Sequence, residues 1–150
     1  VQDLFAQLLE EGGSIRCVVN GGSMEPCIRK GDVVTVRPAT FPEVRIGDIL
    51  VFRSNAAPHR TPLTAHRVIR KSTRSRKPCL YVRGDANVFG NWVTPDAIAG
   101  TVAQIQRGSQ VIGLTQRWSR LRSYVRAYVS ECTVLWSALV NAFHKIRPSF

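Results

Sequence analysis

The chain of 150 residues has the length of a single domain, and its 44% hydrophobic and 21% charged residues exclude wholesale disorder. Lysine and arginine number 21 against 10 acids, and a net charge of +11 predicts attraction to polyanions such as nucleic acid or an anionic lipid surface. Four cysteines without a C-x-x-C pair and three histidines indicate neither a structural zinc site nor a secreted disulfide framework. We therefore expect free thiols, no metal and no cofactor.

Residues 1–12 carry an amphipathic pattern that predicts a short helix. Apolar residues recur at helical spacing with acids among them, which is not the pattern of a secretory signal. These apolar residues are Leu4, Phe5, Leu8 and Leu9. Nowhere do about 18 apolar residues follow one another, so no ordinary membrane span is expected and any anchor would lie upstream.

The middle of the chain, residues 13–115, predicts an all-β domain. Short apolar runs rich in Val, Ile, Thr, Tyr and Phe alternate with Gly, Pro and Asp at the spacing of a small barrel or sandwich. We predict strands over 14–19, 32–37, 48–53, 63–70, 79–83, 97–106 and 110–114.

A basic segment between two of these strands contains no acid and predicts a solvated hairpin tip. Its cations are Arg67, Arg70, Lys71, Arg74, Arg76 and Lys77.

Residues 116–150 predict a long, basic, amphipathic helix. Its first half is rich in arginine and aromatic residues, and apolar residues follow at three- and four-residue steps. Such a helix lies in a lipid interface, or packs on the β domain or on a second copy of the chain. The pattern does not decide among these partners.

Three residues have side chains suited to nucleophilic catalysis. Ser23 follows two glycines, and a tight turn there can present both its hydroxyl and a backbone N–H to a carbonyl group. His66 lies in an apolar segment and is the best candidate for a general base. Asp85 follows another glycine and could orient that imidazole, which would complete a Ser, His, Asp set.

Each of these residues also has an ordinary structural interpretation. A serine after two glycines is usually a turn residue, and a histidine in a strand is usually packed or exposed. Asp85 belongs to one of three Gly-Asp pairs, and the other two precede apolar runs and look like turn chemistry. Those two are Gly31-Asp32 and Gly47-Asp48.

Four motifs stand in a fixed order along the chain. They are GGSMEPCIRKGDVVTV (21–36), RIGDILVF (45–52), AHRVI (65–69) and RGDAN (83–87). Together they resemble the type I signal peptidase superfamily, in particular its endoplasmic-reticulum and archaeal branch, over residues 18–107. The resemblance implies a small, coiled, antiparallel, barrel-like β fold, related to that of the self-cleaving S24 repressor peptidases, with its site in an open groove.

The resemblance also implies a serine endopeptidase with residues in stated roles. Ser23 would be the nucleophile and its backbone N–H an oxyanion donor, His66 would replace the lysine base of typical bacterial signal peptidases, and Asp85 would be the third member. Two positions depart from the family pattern. Gly21 stands where a serine commonly helps to bind the oxyanion, and Asn91 stands where many relatives carry an acid. A triad, a Ser–His dyad and a slow or degenerate enzyme therefore stay open.

The implied substrate is a preprotein or other extended peptide, cleaved after small residues in the A-x-A manner and bound as an added strand. Met24, Ile28 and Phe52 are candidate groove-lining residues, although core packing explains them equally well. We expect association with an anionic membrane surface, peripherally or through an upstream anchor, with a cytoplasmic location as the alternative. The oligomeric state is not set by the sequence.

Three other functions stay open at this point. The first is an S24-type peptidase that processes itself or one dedicated partner, although those enzymes use a lysine base where this chain has His66. The second is a catalytically silent β domain that binds membrane or peptide, which Gly21 and Asn91 would explain. The third, a nucleic-acid module, is motivated by the charge but not favoured, because no predicted strand shows a paired aromatic platform.

Overall fold

The computed structural model describes residues 13–54 and 63–114. Within them the strands are β1 (Ile15–Val18), β2 (Val33–Arg37), β3 (Ile49–Arg53), β4 (Leu63–Arg74), β5 (Lys77–Arg83), β6 (Asn91–Val93), β7 (Ile98–Arg107) and β8 (Gln110–Gly113), with one 3-10 turn at Pro95–Ala97. The predicted mainly-β fold is confirmed. The helices predicted at 1–12 and 116–150 lie outside the described residues, and the predicted domain bounds stay a prediction.

All strands of the described part join one antiparallel sheet in the order β1-β2-β7-β3-β4-β5-β6, and β8 also pairs with β7. The long strand β7 pairs with β2 along one edge, and with β3 and then β8 along the other. Register shifts interrupt the β2–β7, β3–β7 and β4–β5 ladders. Such irregularities increase local twist, which lets one sheet coil around two separate cores.

Strand β3 lies between these two cores and is buried on both faces. Because successive strand residues face opposite sides, Ile49 and Val51 enter the first core while Leu50 and Phe52 enter the second. The first core is completed by Met24, Ile28, Val34, Val36, Val102 and Ile105. The second is completed by Val44, Val68, Leu80, Val82 and Val93.

The sequences RKGD (29–32) and RIGD (45–48) form the same turn, one before β2 and one before β3. Their glycines have φ values of 90° and 91°, a region that favours glycine. In each turn the aspartate carboxylate accepts a 2.8 Å hydrogen bond from the backbone N–H of the arginine. The predicted turn role of these two Gly-Asp pairs is confirmed.

The basic segment forms the β4–β5 hairpin, whose tip is shorter than predicted. Strand pairing continues to the Arg74–Lys77 pair, and only Ser75 and Arg76 form the turn, with φ values of 49° and 63°. Arg67 was expected in the solvated tip, and this expectation is wrong: it is 1% exposed, because its charge is paired inside the protein.

Three cysteines of the described residues, Cys17, Cys27 and Cys79, are free thiols. Cys17 and Cys27 pack against the first core and Cys79 is buried, while Cys132 lies outside the described ranges.

Candidate active site

Ser23 lies in the loop that joins β1 to β2. The two ends of this loop are held together, because Val19 N–H donates to the Asp32 carbonyl at 2.9 Å and Gly31 N–H donates to the Val19 carbonyl at 2.8 Å. Met24, the next residue after Ser23, is 2% exposed and anchors the loop in the first core. Ser23 itself is half-buried, so its hydroxyl stands on a fixed loop near the surface.

The loop contacts the RGDAN motif directly. Ala86 N–H donates to the Ser23 carbonyl at 2.9 Å. Gly84 lies so close that a Cβ atom on it would be 2.5 Å from the same carbonyl oxygen. A glycine is therefore required at position 84 for the first and fourth motifs to meet.

His66 lies on β4 opposite Leu50 of β3 and is 7% exposed. Its ring centroid is 5.8 Å from that of Phe52. Burial lowers the pKa of His66 below its ordinary value of 6.5, and the nearby Asp85 charge opposes this shift. The imidazole is therefore neutral at pH 7, which is the form that a general base needs.

One ring nitrogen of His66 has no hydrogen-bond partner. In the described part of the chain, its Nδ1 atom is buried and unpaired, and no hydrogen bond joins its ring to Ser23 Oγ. Catalytic hydrogen bonds of this type often tighten only in the substrate complex.

Asp85 forms an ion pair with Arg67. Its two carboxylate oxygens accept bonds of 2.7 and 2.6 Å from Arg67 Nε and Nη2, and Arg67 Nη1 donates to the Gly47 carbonyl at 2.9 Å. Burial disfavours the charge of Arg67, but the contact with Asp85 outweighs it and the pKa of Arg67 is raised. Arg67 thus joins the second, third and fourth motifs.

Sequence reasoning missed this role of Arg67. A usable signal was present, since a cation adjacent to His66 in an apolar strand must face the opposite side of the sheet. With both faces of β4 buried there, that cation needs a buried counter-charge.

A second ion pair fixes the far end of the Ser23 loop. Arg107 Nε and Nη2 donate to Asp32 at 2.9 and 2.6 Å, and Nη2 also donates to the Cys27 carbonyl at 3.1 Å. The Arg107 hydrogen bonds hold the pKa of the nearly buried Asp32 below its usual range. The loop is therefore pinned on one side by β7 and on the other by the RGDAN turn.

The two positions that depart from the family pattern are both exposed. Gly21 has open space around it, since a Cβ atom there would meet nothing within 4 Å. Asn91 begins β6, where it pairs with Val82 of β5.

The candidate groove-lining residues lie inside the protein. Met24, Ile28 and Phe52 are 2%, 0% and 4% exposed, the first two in the first core and Phe52 in the second. Of the two alternatives, groove lining and core packing, the structure supports core packing for all three residues.

Within the described ranges, no helix is long and apolar enough to cross a bilayer. Among the same residues, no three His, Cys, Asp or Glu side chains lie together in a way that could hold a metal ion.

A mainly antiparallel β domain is the fold that the resemblance predicted for a peptidase of this superfamily. A family model described as Peptidase S24-like matches residues 3–76, which include Ser23 and His66. This match and the two relatives described next support assignment of the chain to the superfamily of S24-like and type I signal peptidases.

Two curated relatives are similar along most of the chain. The signal peptidase complex catalytic subunit SEC11 of Yarrowia lipolytica is 27% identical over 114 residues, which cover 76% of this chain and 62% of the relative. The protein of the same name from Lodderomyces elongisporus is 26% identical over 114 residues, 76% of this chain and 64% of the relative. The chain thus spans less than two thirds of the length of either relative.

Proposed function

We propose that this protein is a serine endopeptidase of the signal peptidase type, with Ser23 as nucleophile and His66 as general base. One observation carries the proposal. The Ser23 loop lies directly against the Gly84–Ala86 turn, and the carboxylate in that turn, Asp85, acts electrostatically on the buried His66. The RGDAN turn thus links the Ser23 loop, which it contacts, with His66, on which the charge of Asp85 acts.

In the proposed mechanism, Ser23 Oγ attacks the carbonyl carbon of the scissile bond while His66 takes its proton. The tetrahedral intermediate then collapses, the C–N bond breaks and the imidazolium gives the proton to the leaving amine. Water, deprotonated by His66, hydrolyses the acyl-enzyme and restores Ser23. The Ser23 N–H, which donates to no other described residue, faces the developing oxyanion.

Asp85 acts on His66 through its charge in this proposal. Its carboxylate is held by Arg67, and its charge raises the pKa of His66 and so stabilises the imidazolium that forms during attack. Asp85 thus completes the site as an electrostatic third member, its position fixed by Arg67.

The proposed substrate is an extended peptide that pairs with β1. This strand ends the sheet order of the described residues and runs directly into the Ser23 loop. Its last residue, Val18, is 58% exposed and offers an apolar contact for a side chain near the cleavage site. An edge strand gives main-chain affinity to many sequences, which suits the varied preproteins of the signal peptidase type.

Cleavage of a preprotein with an A-x-A site, on anionic liposomes and as a soluble peptide, tests the proposal. We expect Ser23→Ala and His66→Ala each to lower the rate by at least about 10³-fold. Ser14→Ala removes an exposed hydroxyl just before β1 and should cleave as wild type. Cleavage by folded Ser23→Ala at the wild-type rate would rule out the assigned nucleophile.

The S24-like match favours self-processing as a second candidate function. In that case the purified wild-type chain shortens on incubation at a rate independent of its concentration, and Ser23→Ala stays intact. Mass spectrometry of the two proteins, measured beside preprotein cleavage, separates the two substrates.

A further inference from the structure

Exposed apolar and basic side chains adjoin one another beside the candidate active site. Val88, Phe89 and Trp92, in the β5–β6 loop and on β6, are 58%, 80% and 36% exposed. Arg70 and Arg74, both exposed on β4, stack on the Trp92 ring. We refer to these five residues as the aromatic–basic surface.

The pairing of β4, β5 and β6 builds this surface. Arg70, Tyr81 and Trp92 are paired in register, so their side chains share one face of the sheet. The Tyr81 and Trp92 ring centroids are 5.1 Å apart, and the guanidinium groups of Arg70 and Arg74 lie 5.3 and 4.8 Å from the Trp92 centroid. The paired aromatic rings were not expected from the sequence.

Tyr81 also fixes the loop that carries the most exposed residue. Its hydroxyl accepts a 3.0 Å hydrogen bond from Gly90 N–H, immediately after Phe89. The Phe89 ring is therefore held out from the sheet by a defined turn, and leaving it in water is unfavourable unless a partner covers it.

The sequence around this surface carries only positive charges over a long segment. Residues 63–84 contain no acid, and Arg76 and Lys77 extend the exposed cations of β4 to the hairpin tip. The neighbouring cations Arg67 and Lys71 are already engaged, the first with Asp85 and the second with the Phe41 carbonyl at 2.9 Å. Among the described residues, Arg70 and Arg74 stack on aromatic rings and form no side-chain hydrogen bond or ion pair, so their N–H groups are available to an anionic ligand.

We propose that the aromatic–basic surface binds an anionic lipid bilayer. Phe89 and Val88 enter the acyl-chain boundary, Trp92 lies at headgroup depth, and Arg70 and Arg74 donate to lipid phosphates. Two observations favour lipid over nucleic acid. Val88 is 58% exposed and aliphatic, so it offers neither a ring for base stacking nor a polar group for a phosphate, and Trp92 is already stacked with guanidinium groups, which compete with base stacking.

The aromatic–basic surface lies close to the Ser23 loop, which matters for catalysis; this step rests on the proposed function. Ala86, two residues before Val88, binds the Ser23 carbonyl. A bilayer at Phe89 would therefore hold the nucleophile next to the membrane surface, where a signal segment ends. Lipid binding itself does not require peptidase activity.

Cosedimentation of the full chain with vesicles tests the proposal. The vesicles are phosphatidylcholine alone or with about one third phosphatidylserine, in about 0.1 M and about 1 M salt. We expect Arg70→Gln/Arg74→Gln to weaken binding to the anionic vesicles by about 30-fold at the lower salt. We expect Val88→Ser/Phe89→Ser to weaken it by about tenfold or more at both salt concentrations.

Matched controls carry the same changes elsewhere. Arg29→Gln/Arg45→Gln removes two exposed charges outside the surface, and Val111→Ser/Ile112→Ser removes two exposed apolar side chains of β8. Both should bind vesicles within about twofold of wild type if contact is local and not a matter of net charge. Circular dichroism and thermal unfolding establish that every variant is folded.

Three outcomes would overturn the proposal. In the first, both surface variants bind anionic vesicles as tightly as wild type. In the second, the charge variant loses single-stranded DNA binding while the apolar variant keeps full vesicle affinity, which indicates a nucleic-acid site. In the third, the apolar variant changes only the mass at sedimentation equilibrium, which indicates a second copy of the chain. Because soluble-peptide cleavage should be normal in all these variants, failure here is distinct from failure of the proposed function.

Discussion

His66 combines burial with a nearby negative charge, and these two effects act on its pKa in opposite directions. Burial is the larger effect, so the pKa lies below 6.5 although Asp85 raises it. The Asp85 charge is in turn held by Arg67, which is 1% exposed. Asp85 therefore acts on the protonation of His66, Arg67 holds Asp85 in place, and only His66 would contact the reacting atoms.

The pH dependence of cleavage follows from this arrangement. Because a general base must be neutral, we expect kcat/KM for a soluble peptide to fall on the acid side with an apparent pKa below 6.5. In Asp85→Asn the charge that raises this pKa is absent, so the acid limb should move to still lower pH. An acid limb above pH 6.5 in wild type, or an upward shift in Asp85→Asn, would contradict the assignment of His66.

The same pKa shift links the histidine to stability. The unfolded chain binds a proton at about pH 6.5, whereas folded His66 binds it only at lower pH. Above pH 6.5, His66 therefore makes its full contribution to the free energy of unfolding. This contribution is lost as the pH falls toward the pKa of His66 in the folded protein. Asp85→Asn also leaves the buried Arg67 charge uncompensated, at a cost of about 3–5 kcal/mol, so its pH profile is best recorded well below its melting temperature.

At the scale of elements, the meeting of the Ser23 loop with the RGDAN turn depends on the missing side chain of Gly84. A methyl group there would press on the Ser23 carbonyl oxygen, a backbone atom that cannot move cheaply. We expect Gly84→Ala to lower the free energy of unfolding by about 1–3 kcal/mol and to lower kcat by displacing Ser23.

Gly21→Ala is the matched control for this change, because it adds the same methyl group in open space two residues from Ser23. It should leave stability within about 0.5 kcal/mol of wild type. Chemical denaturation and peptide cleavage measure both variants. Equal stability of the two alanine variants would show that the loop and the turn do not pack as described.

The elements differ in how far the sequence predicts them. Every predicted apolar run became a strand, since alternating Val, Ile and Thr residues report burial locally. Strand β6 was missed because it has three residues between Gly90 and Pro95 and exists through pairing with β5. The extension of β4 to Arg74 was also missed, because pairing with β5 outweighs its polar composition.

The site shows the same division between local and long-range information. Ser23, His66 and Asp85 were found from short motifs, which report residue type and spacing. The Arg67–Asp85 pair was not, because it joins two strands and no local pattern records which buried charges meet. The Tyr81–Trp92 contact was missed for the same reason, since it depends on the register of a strand that was not predicted.

At the scale of the whole molecule, all described strands join one sheet, and β3 contributes residues to both cores. The sheet joins strands that are distant in sequence, since β7 pairs with both β2 and β3, so the cores should form and melt together. We therefore expect a polypeptide of residues 13–114 to unfold in one cooperative thermal transition.

Comparison of this polypeptide with the full chain would decide the partner of the predicted helix at 116–150. If that helix packs on the β domain, the full chain should be more stable by several kcal/mol, since an amphipathic helix gains most of its stability from packing. If it lies in a lipid interface, the two proteins should melt alike without vesicles, and the full chain should bind anionic vesicles more tightly. Residues 13–114 keep the aromatic–basic surface, so they should retain part of that binding and lose it in Arg70→Gln/Arg74→Gln. If the polypeptide of residues 13–114 shows no cooperative thermal transition, the predicted domain bounds are wrong.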